Sequence, residues 1–486
     1  MNNPIKKLFG QTAVYGLSSI VGRLLNYLLV PLYTHVFADP SDYGVVSELY
    51  AYVAFLVVFL TFGMESAFFR FLQFKKNKDT VFLNGFLTVI AINLLFFGGM
   101  MLFNQELANW LLFPQHNEYV ILLAAIVCID AISALPLAKL RAEEKALQFA
   151  TIQFISIGVN VLLNLFLMLK VFDPARPEEG VLFILFSNLF ASMVKPLLLY
   201  RHFLNLQLRF DMELAKEMLV YAFPLVIAGF AGIINETMDR ILLKRMLYDG
   251  VSQASLHAAE AQVGIYSACY KLAMLVTILL QAYRYAAEPF FFAQMKNQDK
   301  NRIYMKVMNF FIATVCFVFL LVSLNIDFFK LFIRNEAYYV GLGVVPILLL
   351  ANVFLGIYYN QSIWYKLSGQ TKFGAYIAIG GALLTLFINL LFIPTYGFWA
   401  SAWATLIVYA AQMVASYYLG QKYHPIPYNT RKFALYIGMA VFYFSLSVWI
   451  DLKGPMAKFF IHNMFIILYL VMVYLLERPN FKASHV

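Results

Sequence analysis

The chain has 486 residues, of which 62% are apolar and 13% charged, and its 36 Lys and Arg exceed its 26 Asp and Glu by 10. Soluble domains carry about 25% charged residues, so this composition excludes a soluble enzyme of several domains, a disordered chain and a secreted disulfide scaffold, and it defines a polytopic membrane protein. The net positive charge does not point to nucleic acid, because the basic residues gather in alternate loops as membrane topology requires.

A helix needs about 20 mostly apolar residues to cross hydrocarbon. In chain order such runs cover 9–36, 42–69, 80–103, 119–139, 147–171, 181–200, 217–243, 262–292, 304–326, 340–365, 373–394, 398–420, 432–450 and 457–476. Lys6 and Lys7 precede the first run, which carries no small-residue cleavage site, so it reads as a span and not as a signal peptide. The fold class is therefore all-α, with about 14 transmembrane helices joined by short loops. One set of alternate loops holds 23 Lys and Arg and the other 8; the positive-inside rule then places both termini in the cytoplasm, as an even number of spans also demands.

An internal repeat organises these spans. Tyr43 to Tyr50, in the second span, resembles Val263 to Tyr270, in the eighth, at an offset of 220; Lys139 to Lys145 resembles Lys366 to Lys372 at an offset of 227. Six spans separate the copies, an even number, so the halves share one orientation and are related by an axis along the membrane normal. The expected organisation is a six-helix lobe over 1–204, a cytoplasmic linker over 205–216, a second six-helix lobe over 217–424, and two further helices with a short tail over 425–486.

Nine ionisable residues fall well inside spans: Arg23, Glu48, Glu65, Asp130, Glu236, Arg240, Lys271, Arg284 and Glu288. At a minimum of about 2.5 kcal/mol each, lipid exposure would cost about 20 kcal/mol in all, so most must face a cavity or one another. Glu236 with Arg240, and Arg284 with Glu288, stand four residues apart on one helix face and can pair. Those pairs suit structural fastening and a lumen equally well. Arg23 and Lys271 have no such neighbour on their own helix, which favours a cavity holding water or an anion. Polar stripes at helical spacing, Gln153, Ser156, Asn160 and Asn164 on the fifth span, Asn352 and Asn360 on the tenth, and Thr385 and Asn389 on the eleventh, fit either interhelical hydrogen bonds or a wet lumen. Prolines within spans, including Pro136, Pro196, Pro224 and Pro346, suggest kinks.

The three cysteines, Cys128, Cys269 and Cys316, lie in apolar runs without metal-ligand spacing and read as small buried hydrophobes. No paired carboxylates or Ser-His-Asp arrangement stands in a loop, and the glycines before Arg23 lack the spacing of a phosphate loop. Neither a cofactor nor a metal nor an enzymatic activity is expected.

Val14 to Arg23, Pro31-Leu32-Tyr33-Thr34 and Asp42-Tyr43-Gly44, followed by Tyr221 to Pro224, Val263 to Tyr266 and Tyr396-Gly397, resemble the bacterial polysaccharide flippases of the multidrug, oligosaccharidyl-lipid and polysaccharide exporter superfamily. The order of these segments and the repeat offset carry the resemblance across almost the whole chain. It implies flipping of an undecaprenyl-pyrophosphate-linked oligosaccharide from the cytoplasmic to the outer leaflet of the bacterial inner membrane, by alternating access, for surface polysaccharide biosynthesis. It also implies substrate-binding cations, here Arg23, Arg240, Lys271 and Arg284, and partner proteins such as a polysaccharide polymerase and glycosyltransferases. Glu48, Glu65, Asp130, Glu236 and Glu288 depart from a purely cationic lining and stand as ion-coupling or charge-partner candidates. A cation-coupled multidrug or metabolite antiporter, or a lipid II flippase, are the alternatives within the superfamily. A membrane scaffold or an intramembrane glycosyltransferase is the alternative outside it.

Overall fold

A computed structural model describes residues 20–22, 24, 25, 27–74, 77–200, 210–294, 298–450 and 454–482, leaving aside the side chains of 285, 286, 288, 289, 292, 293 and 479–482. The described residues contain helices and no strand. Among the described residues thirteen helical segments are long and apolar enough to span a membrane, and they coincide with the second to fourteenth predicted spans. The first predicted span lies largely outside the described residues, and Arg23 with it; its described end is α1 (Val30–Val36).

The chain forms two compact units, residues 1–264 and 265–486. The first holds α1, α2 (Pro40–Thr61), α3 (Met64–Phe74), α4 (Lys78–Leu102), α5 (Asn104–Trp110), α6 (Asn117–Ala142), α7 (Ala146–Phe166), α8 (Pro177–Leu199), α9 (Met212–Leu247) and the opening of α10 (Gln253–Ala293). Its second predicted span proves to be two helices. Phe62 and Gly63 take left-handed φ of 46° and 64°, breaking the ladder between α2 and α3, and a Cβ at Gly63 would lie 3.3 Å from the Ala222 carbonyl oxygen of α9. Met64, Phe68, Phe82, Phe86, Leu135 and Met218 then pack α3, α4, α6 and α9 into one apolar core.

α9 has 36 residues and α10 has 41, against 27 and 31 in the spans predicted from the sequence (217–243 and 262–292). At 1.5 Å per residue α9 is about 54 Å long, well beyond the hydrocarbon thickness. The Asp211 carboxylate starts it by accepting hydrogen bonds from the Glu213 and Leu214 amides, and it continues through Lys244 and Arg245, which the loop count had set outside. Pro136, Pro196 and Pro224 lie within unbroken helices.

The second unit holds the rest of α10 with α11 (Lys300–Leu324), α12 (Val345–Gln361), α13 (Ile363–Leu367), α14 (Lys372–Tyr396), α15 (Phe398–Tyr423), α16 (Thr430–Trp449) and α17 (Pro455–Lys482). Pro346 stands in the first turn of α12, where a 3-10 helix over Glu336–Val344 gives way to the α-helix, a position at which a missing N–H is tolerated. α16 and α17 pack on α11, and the Glu477 carboxylate accepts from Lys432 Nζ and the Tyr436 hydroxyl.

The polar stripes fasten helices within each unit. Ser156 donates to the Ala191 carbonyl at 2.7 Å, the Tyr33 hydroxyl to Asn164 at 2.9 Å, Asn352 to the Ala273 carbonyl at 3.0 Å, and Ser401 to Asn389 at 2.9 Å. Cys128, Cys269 and Cys316 are free and buried. Large apolar side chains such as Leu94, Leu95, Leu102, Leu162 and Phe166 are exposed, as a lipid-facing surface requires.

Candidate functional site

Within residues 1–264, α2 crosses the opening of α10 at the end where the loops are poor in Lys and Arg. The crossing is built on two glycines. A Cβ on Gly44 would lie 2.0 Å from the Glu260 carbonyl oxygen, and a Cβ on Gly264 would lie 1.8 Å from the Pro40 carbonyl oxygen. Pro40 and Glu260, like Gly44 and Gly264, are 220 positions apart. The sequence repeat therefore folds onto itself here, with each copy's glycine seated on the other copy's backbone. Asp39 caps α2 by accepting from the Ser41 amide at 2.8 Å, and His257 Nε2 lies 3.1 Å from Ser41 Oγ and 3.3 Å from Asp39 Oδ2.

One turn further along α2 from Gly44 is Glu48, whose side chain is 1% exposed. Its carboxylate lies 2.8 Å from Lys244 Nζ, which is 3.0 Å from the Glu260 carboxylate; the Lys244 side chain is 0% exposed. The ammonium also sits 3.5 Å above the Phe113 ring and 3.4 Å from the Leu111 carbonyl oxygen. Tyr52 donates to Glu48 Oε1 at 3.2 Å. Next along α9, Arg245 donates to the Trp110 carbonyl and lies over the Trp110 ring, 4.4 Å from its centroid. This one cluster thus ties together α2, α5, the segment after α5, α9 and α10. Removing a buried ammonium from water costs several kcal/mol, and two carboxylates, an aromatic face and a carbonyl are what offset that cost here.

The expected site residues stand on several helices of both units. Arg240 is buried and donates to Asp239 at 3.1 Å and to the Glu236 carbonyl at 2.8 Å, so Asp239 joins the expected partner Glu236 around it, and the Glu236 side chain is exposed. Glu65 pairs with Arg141 at 2.8 Å at the basic-rich end. Asp130 pairs with Lys195 at 2.8 Å between α6 and α8, close to Tyr50, whose hydroxyl accepts from Asn188 at 2.7 Å. In the second unit Lys271 is half-buried on α10. Arg284 is exposed, with its guanidinium 4.3 Å from the centroid of the Tyr359 ring, in a cleft shared with Tyr283, Asn360, Ser362 and Lys366. The Glu288 side chain lies outside those described. Among the described residues no three His, Cys, Asp or Glu converge as a metal site.

Four charged residues stand outside the nine expected from the sequence: Lys195, Asp239, Lys244 and Glu260. Lys244 and Glu260 stood beyond the expected ends of their spans, although the apolar run Ile241-Leu242-Leu243 continues through Met246-Leu247 and carries Lys244 inside. Lys195 and Asp239 lay within predicted spans and had the same signal as the nine singled out.

The fold is that of a known class of membrane transporter. Superposition on the lipid II flippase MurJ in its inward closed conformation gives a TM-score of 0.74 over 98% of this chain and 99% of that one, at 15% identity. An inward-facing multidrug resistance MATE family transporter of the MOP superfamily gives 0.62 over 83% and 94%, also at 15% identity. The particular family follows from sequence: residues 8–295 match the polysaccharide biosynthesis protein family, and the chain belongs to it. An uncharacterized membrane protein of Haemophilus influenzae is 21% identical over 292 residues, 60% of this chain, and the match spans 66% of that protein's length. The chain is thus a multi-pass membrane protein of the MOP transporter fold.

Proposed function

We propose that this chain flips a lipid-linked oligosaccharide across the bacterial inner membrane, from the cytoplasmic to the outer leaflet, for surface polysaccharide biosynthesis. The observation that carries the reading is the crossing of α2 and α10. Charges this deep are costly, and a largely buried ion-pair lock set on a seam between two repeat copies suits a closure that forms and breaks during transport. Membership of the polysaccharide biosynthesis family supports a glycan cargo. A diphosphate head group with a hydrated glycan cannot cross hydrocarbon unaided, so a protein path must replace its hydration. Arg284 and Lys366, beside Tyr283, Tyr359 and Asn360, supply cations for the phosphates together with aromatic faces and an amide for sugars. With the outward end closed at the glycine crossing, the head group enters from the basic-rich side while the prenyl tail stays in lipid. The drive comes from outside the chain's own chemistry, as an ion gradient, the membrane potential or removal of the product.

Purified protein in liposomes is expected to expose a labelled undecaprenyl-pyrophosphate-linked glycan to an external modifying enzyme faster than empty liposomes do. Movement of a cationic dye against an imposed gradient, with no movement of the glycan, would replace this reading with the antiporter. Arg284→Ala should lower flipping about ten-fold or more without loss of folded protein. Arg284→Lys should recover only part of it, because an ammonium lacks the bidentate fork; full activity in the Ala variant would remove Arg284 from the path. Orientation has its own check. Reporters fused after residues 143 and 426 should read cytoplasm and those after 112 and 254 the outside, and the opposite pattern would invert the proposed direction.

A further inference from the structure

The lock at the α2 and α10 crossing holds two carboxylates to one ammonium. Among the described residues, the Glu48 carboxylate meets only Lys244 and the Tyr52 hydroxyl, and the Glu260 carboxylate meets only Lys244. Glu48 Oε2 stands 2.8 Å from Nζ. The other charges around the crossing are engaged elsewhere. From α9, Arg240 is bonded to Asp239, and Arg245 lies over Trp110 and reaches the Tyr52 hydroxyl but neither carboxylate. From α10, His257 faces Asp39 and Ser41 at the solvated rim. Asp42 on α2 and Glu178 on α8 add negative charge nearby, and Glu118 is paired with His116 at 2.9 Å.

A fully ionised triad would therefore leave one excess negative charge on two carboxylates that are only 1% and 14% exposed, next to further acids. A buried charge without a partner is neutralised rather than tolerated. Opening the crossing would readmit water and solvate both carboxylates as anions.

We propose that closure of the α2 and α10 crossing takes up one proton, held by Glu48 and Glu260 against Lys244, and that opening returns it to the outward solution. The step is a simple protonation. A proton from bulk water binds one carboxylate oxygen on closing and leaves that oxygen on opening, with no change of oxidation state. The outward closure is then a pH-sensitive step of transport, an inference that rests on the crossing being the outward closure of the flippase. Its sign is fixed: the closed form binds the extra proton, so low external pH favours closure and high pH favours opening. For a single proton the closed-to-open ratio changes up to about ten-fold per pH unit.

The test reads closure itself, so that its failure is separate from failure of the glycan assay. Amide hydrogen exchange across residues 253–263 is followed in full-length protein in nanodiscs between pH 5 and 9, corrected for intrinsic exchange. Protection in the native chain should fall as pH rises, approaching ten-fold per unit. In Glu48→Gln and Glu260→Gln, each of which fixes the neutral form of one carboxyl, protection should stay high and lose its pH dependence, while His257→Gln should keep the native profile. Using two carboxyl variants guards against one that fails to fold. Flat protection in the native chain, or a native profile surviving in both Gln variants, would overturn the proposal. So would loss of the profile in His257→Gln alone, which would place the proton on the rim histidine. If the profile behaves as expected but liposomes flip no glycan, the proton site stands and the cargo is wrong.

Discussion

Gly44→Ala should abolish transport while leaving the protein inserted and folded. One methyl group does this because the new Cβ would stand 2.0 Å from the Glu260 carbonyl oxygen, and a backbone oxygen inside a helix cannot rotate away as a side chain can. α2 and α10 must separate by more than 1 Å to admit it. The glycine seam would then gape, and the Glu48, Lys244 and Glu260 contacts behind it would lengthen. Overpacking of this kind costs about 1–3 kcal/mol, and all of it falls on the closed form. A shift of that size in a two-state closure changes its population about five- to 150-fold. Gly264→Ala should act alike, since its Cβ would meet the Pro40 oxygen at 1.8 Å, and the double variant should fall short of the sum because both relieve one seam. Gly98→Ala is the control: a Cβ there meets nothing within 4 Å, and replacing Gly by Ala inside a helix is neutral or favourable. Flipping rates in liposomes for the four proteins, normalised to folded material, decide the matter. Native rates in both Gly44→Ala and Gly264→Ala would mean that the crossing never has to close.

Most of the fold was legible because hydrocarbon imposes one length and one composition on every span. Where other forces act, local sequence carries little of the outcome. The break at Phe62 and Gly63 packs against Ala222 of α9, a contact 159 residues away that no local pattern contains. The extra turns of α9 and α10 are held by the Asp211 cap and by the buried Lys244, so counting Lys244 as a loop cation both shortened the helix and hid the ion cluster. The repeat was visible as an offset of 220, but sequence alone could not tell that the two copies touch at their shared glycines. Glu48 could be singled out by depth, whereas its partners could not, since each enters from a different helix. The fastening role of Ser156, Asn164, Asn352 and Asn389 likewise depends on which helix stands opposite.

Lys244→Met should be the most destabilising single substitution in residues 1–264. Methionine matches the lysine stem in length, so the change removes the ammonium and little else, leaving Glu48 at 1% exposure and Glu260 at 14% without the cation between them. Breaking a buried pair by deleting one partner costs about 3–5 kcal/mol, mainly because the other charge is stranded. The Phe113 face and the Leu111 carbonyl, positioned 3.5 Å and 3.4 Å from Nζ, would then confront a thioether that cannot donate to them. Lys244→Arg is no substitute, since a guanidinium is too broad for a pocket closed on four sides. Pairing the change with Glu48→Gln should restore a substantial part of the loss, as replacing both members of a buried ion pair by neutral groups is often tolerated. Lowering the pH should also narrow the gap between Lys244→Met and the native chain, because the stranded carboxylates can then be neutralised by protons. Unfolding in mild detergent, followed for the native chain, the single variant and the double variant at two pH values, measures each of these differences. A Lys244→Met protein within about 0.5 kcal/mol of native, the range of an ordinary surface change, would show that water reaches the cluster and that the lock is not sealed.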